Sequence, residues 1–357
     1  TTEIYTLSLH DALPILLVIT IPAAYILMLG IIFQMLFGLD LSIAIIAGAV
    51  ISLIYIYTGG FKADLLTNTA QFILMYVGFG ILLIFSVLKF GLLPDYFDKI
   101  PDSHLSFLGE FNWQYVAAWF IIAFQTFVDP TFHQRCAAAE NPKTAKNGVL
   151  LSVLFWIVFD FLTLSTGLYA KAFISAGDPL MSFPLLGDAV LPAFWKGLFV
   201  VSLLATVMST LDSYAFVSSI TIGRDLLGKI SFFKKMPEKQ NIRLGLIFTS
   251  FLGIMLAIFI PSAVEIIYKT SSIAVPGLII PLILTLGNKK LLNQFDVIFI
   301  MAGSSVVSLI FTIGKAYNYN YFDIFEPMFP GIIFAIFISI ILIFKNKYEY
   351  FKLSKHT

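Results

Sequence analysis

The sequence predicts an all-α protein, a polytopic bundle of about ten membrane-spanning helices. Three observations carry this prediction. Hydrophobic residues make up 59% of the 357 and charged residues only 12%, whereas a soluble domain carries about 25% charged and 45–50% apolar residues. Apolar runs long enough to cross a hydrocarbon core, which takes about 20 helical residues, recur along the whole chain. Those runs do not alternate in polarity as barrel strands do: Ile81-Leu82-Leu83-Ile84-Phe85 and Ile332-Ile333-Phe334-Ala335-Ile336-Phe337 are apolar throughout. A mean hydropathy of +0.93 agrees. The formal charge of +1 provides no basic field for nucleic acid. The single cysteine, Cys136, excludes a disulfide scaffold and a cysteine-built metal site.

Taken in order, the runs lie near 16–37, 41–58, 66–90, 113–133, 147–172, 192–223, 242–261, 264–286, 294–315 and 326–345. Turn-forming residues separate them at Gly59-Gly60, Pro94-Asp95, Glu140-Asn141-Pro142, Pro237-Glu238 and Gly287-Asn288. If the Gly59–Asn68 segment is a cytoplasmic loop, sixteen of the 22 Lys and Arg fall on the cytoplasmic side. They cluster at Lys62, around Arg135, from Arg224 to Arg243, at Lys289-Lys290 and after Lys345. By the positive-inside rule the tail 346–357 is then cytoplasmic and the lipid bilayer is the chain's first partner.

Residues 1–15 lack a basic n-region and a small-residue cleavage site, so they read poorly as a signal peptide. They resemble a translated sequencing adapter, an artefactual tail. They are set aside together with His10 and Asp11, and on this reading Leu16 marks a break in the gene.

Four segments hold polar chemistry at membrane depth. In Ala205-Thr206-Val207-Met208-Ser209-Thr210-Leu211-Asp212-Ser213, the residues Ala205, Ser209 and Ser213 recur every four positions and share a helix face. Hydroxyls, a carbonyl and a carboxylate are hard oxygen ligands suited to a small hard cation. Asp212 is a functional candidate because an unpaired ionisable group in a membrane helix costs several kcal/mol. The competing reading is small-residue helix packing with back-bonded Ser and Thr. In Gly59-Gly60-Phe61-Lys62-Ala63-Asp64-Leu65-Leu66-Thr67-Asn68-Thr69-Ala70-Gln71, the glycines end one span, and the simple reading of Thr67 and Asn68 is that they cap the next helix. Asp129-Pro130, late in the span 113–133, predicts a kinked or broken helix whose freed backbone groups line a cavity or find partners. In the same segment His133 is read as bonding locally and Arg135 as marking the cytoplasmic exit. Asp160, amid Trp156, Phe159 and Phe161, is either a relay carboxylate or the polar partner of a neighbouring helix.

Together these segments resemble the sodium:solute symporter family. That family shows Gly-Gly-x-x-Ala-x-x-x-Thr-Asp-x-x-Gln after one helix, an Arg followed by small residues after another, and Ser-Thr-x-Asp-Ser in a third. Here they stand in order at 59–71, 135–139 and 209–213. The resemblance implies a LeuT-type inverted-repeat fold with substrate and Na+ near the midplane, here lacking its first two core helices. On that fold, 16–90 forms the last three helices of the first repeat, 113–286 the second five-helix repeat and 294–345 two accessory helices. It implies a Na+ site at Ala205, Ser209 and Thr210. A second cation site is expected from Asn68, Asp212 and Ser213, although Asn68 stands where the family has Asp. Gln125, Asp129 and Thr131 are the expected substrate contacts, and 173–191 resembles an outer gate hairpin.

The implied function is Na+-coupled symport of a small organic solute across the plasma membrane by alternating access, with Na+ as coupling ion and no covalent chemistry. Asp129 favours an amino-acid-like or amine solute, with sugars and carboxylates open. The alternative is a transporter-like membrane sensor without net transport. An enzyme is disfavoured because His104, His133 and His356 fall in or beside loops.

Overall fold

The structure, a computed structural model, describes residues 13–92, 97–174, 177, 179–285 and 291–354. The reading of 1–15 as a tail lies outside these residues except at Leu13, Pro14 and Ile15, which are already helical. Pro94-Asp95, Asp178 and the 287–290 turn also lie outside them. Among the described residues the regular structure is entirely helical. Nine helical stretches are long and apolar enough to cross a membrane, and Leu41–Ile54 forms a shorter apolar one. The chain is a multi-span membrane protein.

Helix α1 (Leu13–Phe37) is the axis of the bundle. Ala23, Ala24, Leu27 and Leu29 are fully buried, and around them pack α2 (Leu41–Phe90), α7 (Ala193–Ile220), α8 (Glu238–Phe259) and α9 (Ala263–Thr285). Gly38 ends α1 at φ +64, a left-handed conformation that favours glycine. Asp40 then starts α2 by accepting the Ser42 N–H at 2.9 Å.

The predicted break between spans 41–58 and 66–90 is absent. Helix α2 runs through Gly59-Gly60, so Thr67 and Asn68 are interior residues and cap nothing. Each helical glycine costs about 1 kcal/mol, too little to force a turn where the flanking residues continue the helix. Both arms of α2 feed one apolar cluster, Ala44, Ile45 and Ala49 from the first arm and Phe79 and Leu82 from the second. The middle of the helix meets basic residues: the Arg243 guanidinium lies 4.0 Å over the Tyr57 ring.

The span expected at 113–133 is broken, as Asp129-Pro130 predicted. Helix α3 (Trp113–Ala123) tightens into a 3-10 turn at Phe124–Phe127, and α4 (Pro130–Ala137) begins after the break. Proline at the first position of α4 has no N–H to strand there. Helix α5 (Pro142–Phe173) lies at the periphery, with Leu150, Ile157, Phe161 and Leu164 turned outward to lipid. Asp160 is exposed on α5, near enough to Tyr76 to act on it electrostatically. Helix α6 (Ser182–Val190) fills the expected gate hairpin and is tied to α2 by Lys89, whose ammonium donates to the Ala189 carbonyl at 2.6 Å. Two more helices, α10 (Gln294–Ala316) and α11 (Met328–Ser354), pack on α9.

Helix α7 continues into a wide turn at Thr221–Leu226 that lies directly on α8. A Cβ on Gly223 would stand 2.5 Å from the Asn241 carbonyl carbon and from Ile242 Cα; one on Gly245 would stand 2.5 Å from the Ser219 carbonyl oxygen. Backbone cannot yield as a side-chain tip can. Gly223→Ala is therefore expected to cost about 1–3 kcal/mol, read as a melting temperature lowered by several degrees in detergent. An unchanged melting temperature refutes this close approach.

Candidate functional site

Two clusters on α7 contain the expected residues. The first surrounds the helix break. The Asp129 carboxylate caps α4: Oδ1 accepts the Thr131 N–H at 2.8 Å and the Thr131 hydroxyl at 2.7 Å. Its Oδ2 accepts the Tyr214 hydroxyl from α7. Asp129 and Thr131 are both 3% exposed, so this acid is buried with three of its roughly four acceptor positions in use. Gln125, on the 3-10 turn, accepts the Ser271 hydroxyl of α9 at 2.8 Å. His133 bonds locally, as expected, 2.8 Å from the Phe127 carbonyl.

From Tyr214 the cluster reaches the predicted Na+ site. Its ring stacks on Tyr25 of α1 at 6.4 Å, and Tyr25 interacts with the Thr210 side chain and feels the Asp129 charge. The helix break and the Ser209-Thr210 pair are therefore joined through two tyrosines. Ala205 is buried, and Ser209 and Thr210 are half-buried at mid-helix. Asp212, two residues after Thr210, is 2% exposed, and neither of its oxygens accepts a hydrogen bond from a described residue.

The second cluster lies where α2, α4 and α7 meet. Asn68 donates to the Ser213 hydroxyl at 3.2 Å, and Ser213 in turn donates to the Ser209 carbonyl at 3.0 Å. The structure thus brings together Asn68 and Ser213, while Asp212 takes no hydrogen bond from a described residue. The charged side chains at this point are Arg135, which donates to Ser213 Oγ at 2.7 Å, and Asp64, 3.8 Å from the guanidinium. Arg135 is thus more than a marker of the cytoplasmic exit. Sequence reasoning passed over Asp64, Tyr25 and Tyr214. Asp64 stands one helical turn before Asn68, so the lost acid had a neighbour at i−4 spacing. No local pattern distinguishes the tyrosines from other apolar-face aromatics.

A cavity of about 440 Å³ opens between α3, α9 and α10, lined by Tyr115, Tyr268, Lys269, Lys315 and Glu326. Glu326 accepts from Lys315 at 2.7 Å and from Tyr268 at 2.8 Å. It lies on the same α3–α9 seam that holds Gln125 and Ser271 further along.

Comparison with known proteins follows this geometry. The chain is 26% identical over 199 residues to a sodium/pantothenate symporter of Haemophilus influenzae, covering 53% of this chain and 41% of that protein. It is 26% identical over 277 residues to sodium/glucose cotransporter 1 of Oryctolagus cuniculus, covering 63% and 41%. The chain thus spans less than half the length of these curated relatives. A solved Na+-coupled sialic acid symporter, in a substrate-bound outward-open state, superposes with a TM-score of 0.71 at 17% identity, covering 93% of this chain and 72% of that one. This likeness shows a shared fold. The sequence profile of the sodium:solute symporter family matches residues 5–303, and the chain belongs to that family.

Proposed function

We propose that the protein couples Na+ entry to uptake of a small organic solute by alternating access. One observation carries this reading. The oxygen-bearing face of α7 is wired to the helix break by Thr210, Tyr25, Tyr214 and Asp129. Ala205 through its carbonyl, and Ser209 and Thr210 through their hydroxyls, hold Na+ as hard oxygen ligands. The unpaired Asp212 carboxylate supplies a favourable field within one helical turn. The solute sits at the break, against Gln125 and the 124–131 backbone, with the cavity at Glu326 as its vestibule. Ion and solute each favour the same set of conformations, and this differential binding links their movements.

For the solute, the engaged state of Asp129 argues against an ammonium partner and for its role as a brace. Gln125 and the polar backbone of the break suit hydroxyls and carboxylates, in keeping with relatives named for pantothenate and glucose. The sensor alternative draws no support from these relatives. The distribution of Lys and Arg along the chain supports a cytoplasmic tail after Lys345, and Arg135 and Arg243 both meet the middle of α2.

The test is uptake of labelled pantothenate, glucose and sialic acid into proteoliposomes containing the full-length protein, with and without an inward Na+ gradient. Gradient-dependent accumulation of one solute is expected. Binding of a solute without accumulation would favour the sensor.

A further inference from the structure

We propose that Arg135 is a tethered cation, filling with its guanidinium the pocket of Asp64, Asn68 and Ser213 that would otherwise take a second Na+. The inference deepens the Na+-symport reading and rests on it only for the first ion site.

The pocket is built for a cation. Asp64 has a side chain only 9% exposed, and Asn68 and Ser213 lie within interaction range of its carboxylate. Asp64 Oδ1 and Asn68 Oδ1 are buried acceptors without a hydrogen bond from a described residue. Carboxylate, amide and hydroxyl oxygens in one place are the donor set of a hard monovalent ion. Arg135 reaches this place from α4, across the helix break. Its Nη2 lies 2.7 Å from Ser213 Oγ and 3.8 Å from Asp64 Oδ2, and Nη1 is 3.5 Å from the Thr131 carbonyl. The Arg135 side chain is 37% exposed, yet at these distances a guanidinium and a second cation repel and compete for the same oxygens. Guanidinium and Na+ therefore exclude one another, and the protein carries one Na+ through the site on α7. Because α4 follows the break, any movement of α4 withdraws or returns this charge.

Direct 22Na+ binding to the purified full-length protein tests the idea without needing transport or a known solute. The unmodified protein is expected to bind one Na+ per chain, Arg135→Gln two, and Arg135→Lys one, because lysine restores a tethered charge. Adding Asp64→Asn to Arg135→Gln returns the count to one. Arg135→Ala replaces the glutamine variant should that variant lose its monodisperse elution. A monodisperse Arg135→Gln or Arg135→Ala protein with no added Na+ overturns the proposal, as does a gain in Arg135→Lys. If the unmodified protein binds none and Arg135→Gln binds one, the tether stands and the Na+ site on α7 falls.

Discussion

Asp129→Ala is expected to reduce Na+-driven uptake by about 100-fold, through loss of the cap at the helix break and of its link to α7. The cap alone contributes about 1–2 kcal/mol. Removing the carboxylate also leaves the Tyr214 hydroxyl, in a buried setting, without its acceptor, at a cost of about 1–3 kcal/mol. A sum near 3 kcal/mol shifts the competent arrangement of the break by about two orders of magnitude. Asparagine caps as well as aspartate and keeps one acceptor, so Asp129→Asn is expected to lose only about tenfold. The kinetic pattern separates bracing from direct contact. Bracing lowers the maximal rate and the melting temperature together in both variants. An ammonium partner would instead show as a large rise in solute KM in Asp129→Asn with stability intact. Near-normal uptake by Asp129→Ala would remove the brace from the mechanism altogether.

The second large effect is expected from Ser209→Ala combined with Thr210→Ala. Each hydroxyl taken from a bound cation costs about 1.5–3 kcal/mol, so the Na+ concentration for half-maximal uptake should rise by about 100-fold or more. Saturating Na+ should restore much of the rate, because the break and its tyrosines remain. Thr210→Ser, which keeps the hydroxyl beside Tyr25, should stay within a few-fold of the unmodified protein. A Na+ activation curve unmoved by the double substitution would place the ion elsewhere.

Much of the architecture was legible from composition and from one proline. Ten apolar runs became nine spanning stretches and one shorter helix. The Asp129-Pro130 pair located the broken helix to within a few residues, because proline and a capping acid act locally, whatever packs around them. The glycine pair misled for a related reason. Glycine permits a turn without compelling one, and Gly59-Gly60 stays helical where the residues on both sides continue the helix. The site was legible only as a set of residue types. Ala205, Ser209 and Ser213 were marked by spacing on one helix, whereas Asp64 and Arg135 joined Asn68 and Ser213 from separate elements. Asp212 shares a helix with Ser213, yet its carboxylate takes no hydrogen bond from a described residue.

From the sequence alone came the membrane class, the helical spans, the broken helix and the oxygen-rich face of α7. Each of these follows from properties that neighbouring residues carry with them: apolar length, backbone constraint and helical periodicity. Only the tertiary structure decided that Asp129 is already engaged by Thr131 and Tyr214, and that Asp64 and Arg135 stand at the Asn68–Ser213 contact. Those pairings join residues up to 145 positions apart. Which charge meets which hydroxyl across a packed bundle is set by how whole helices dock, and no local pattern encodes that.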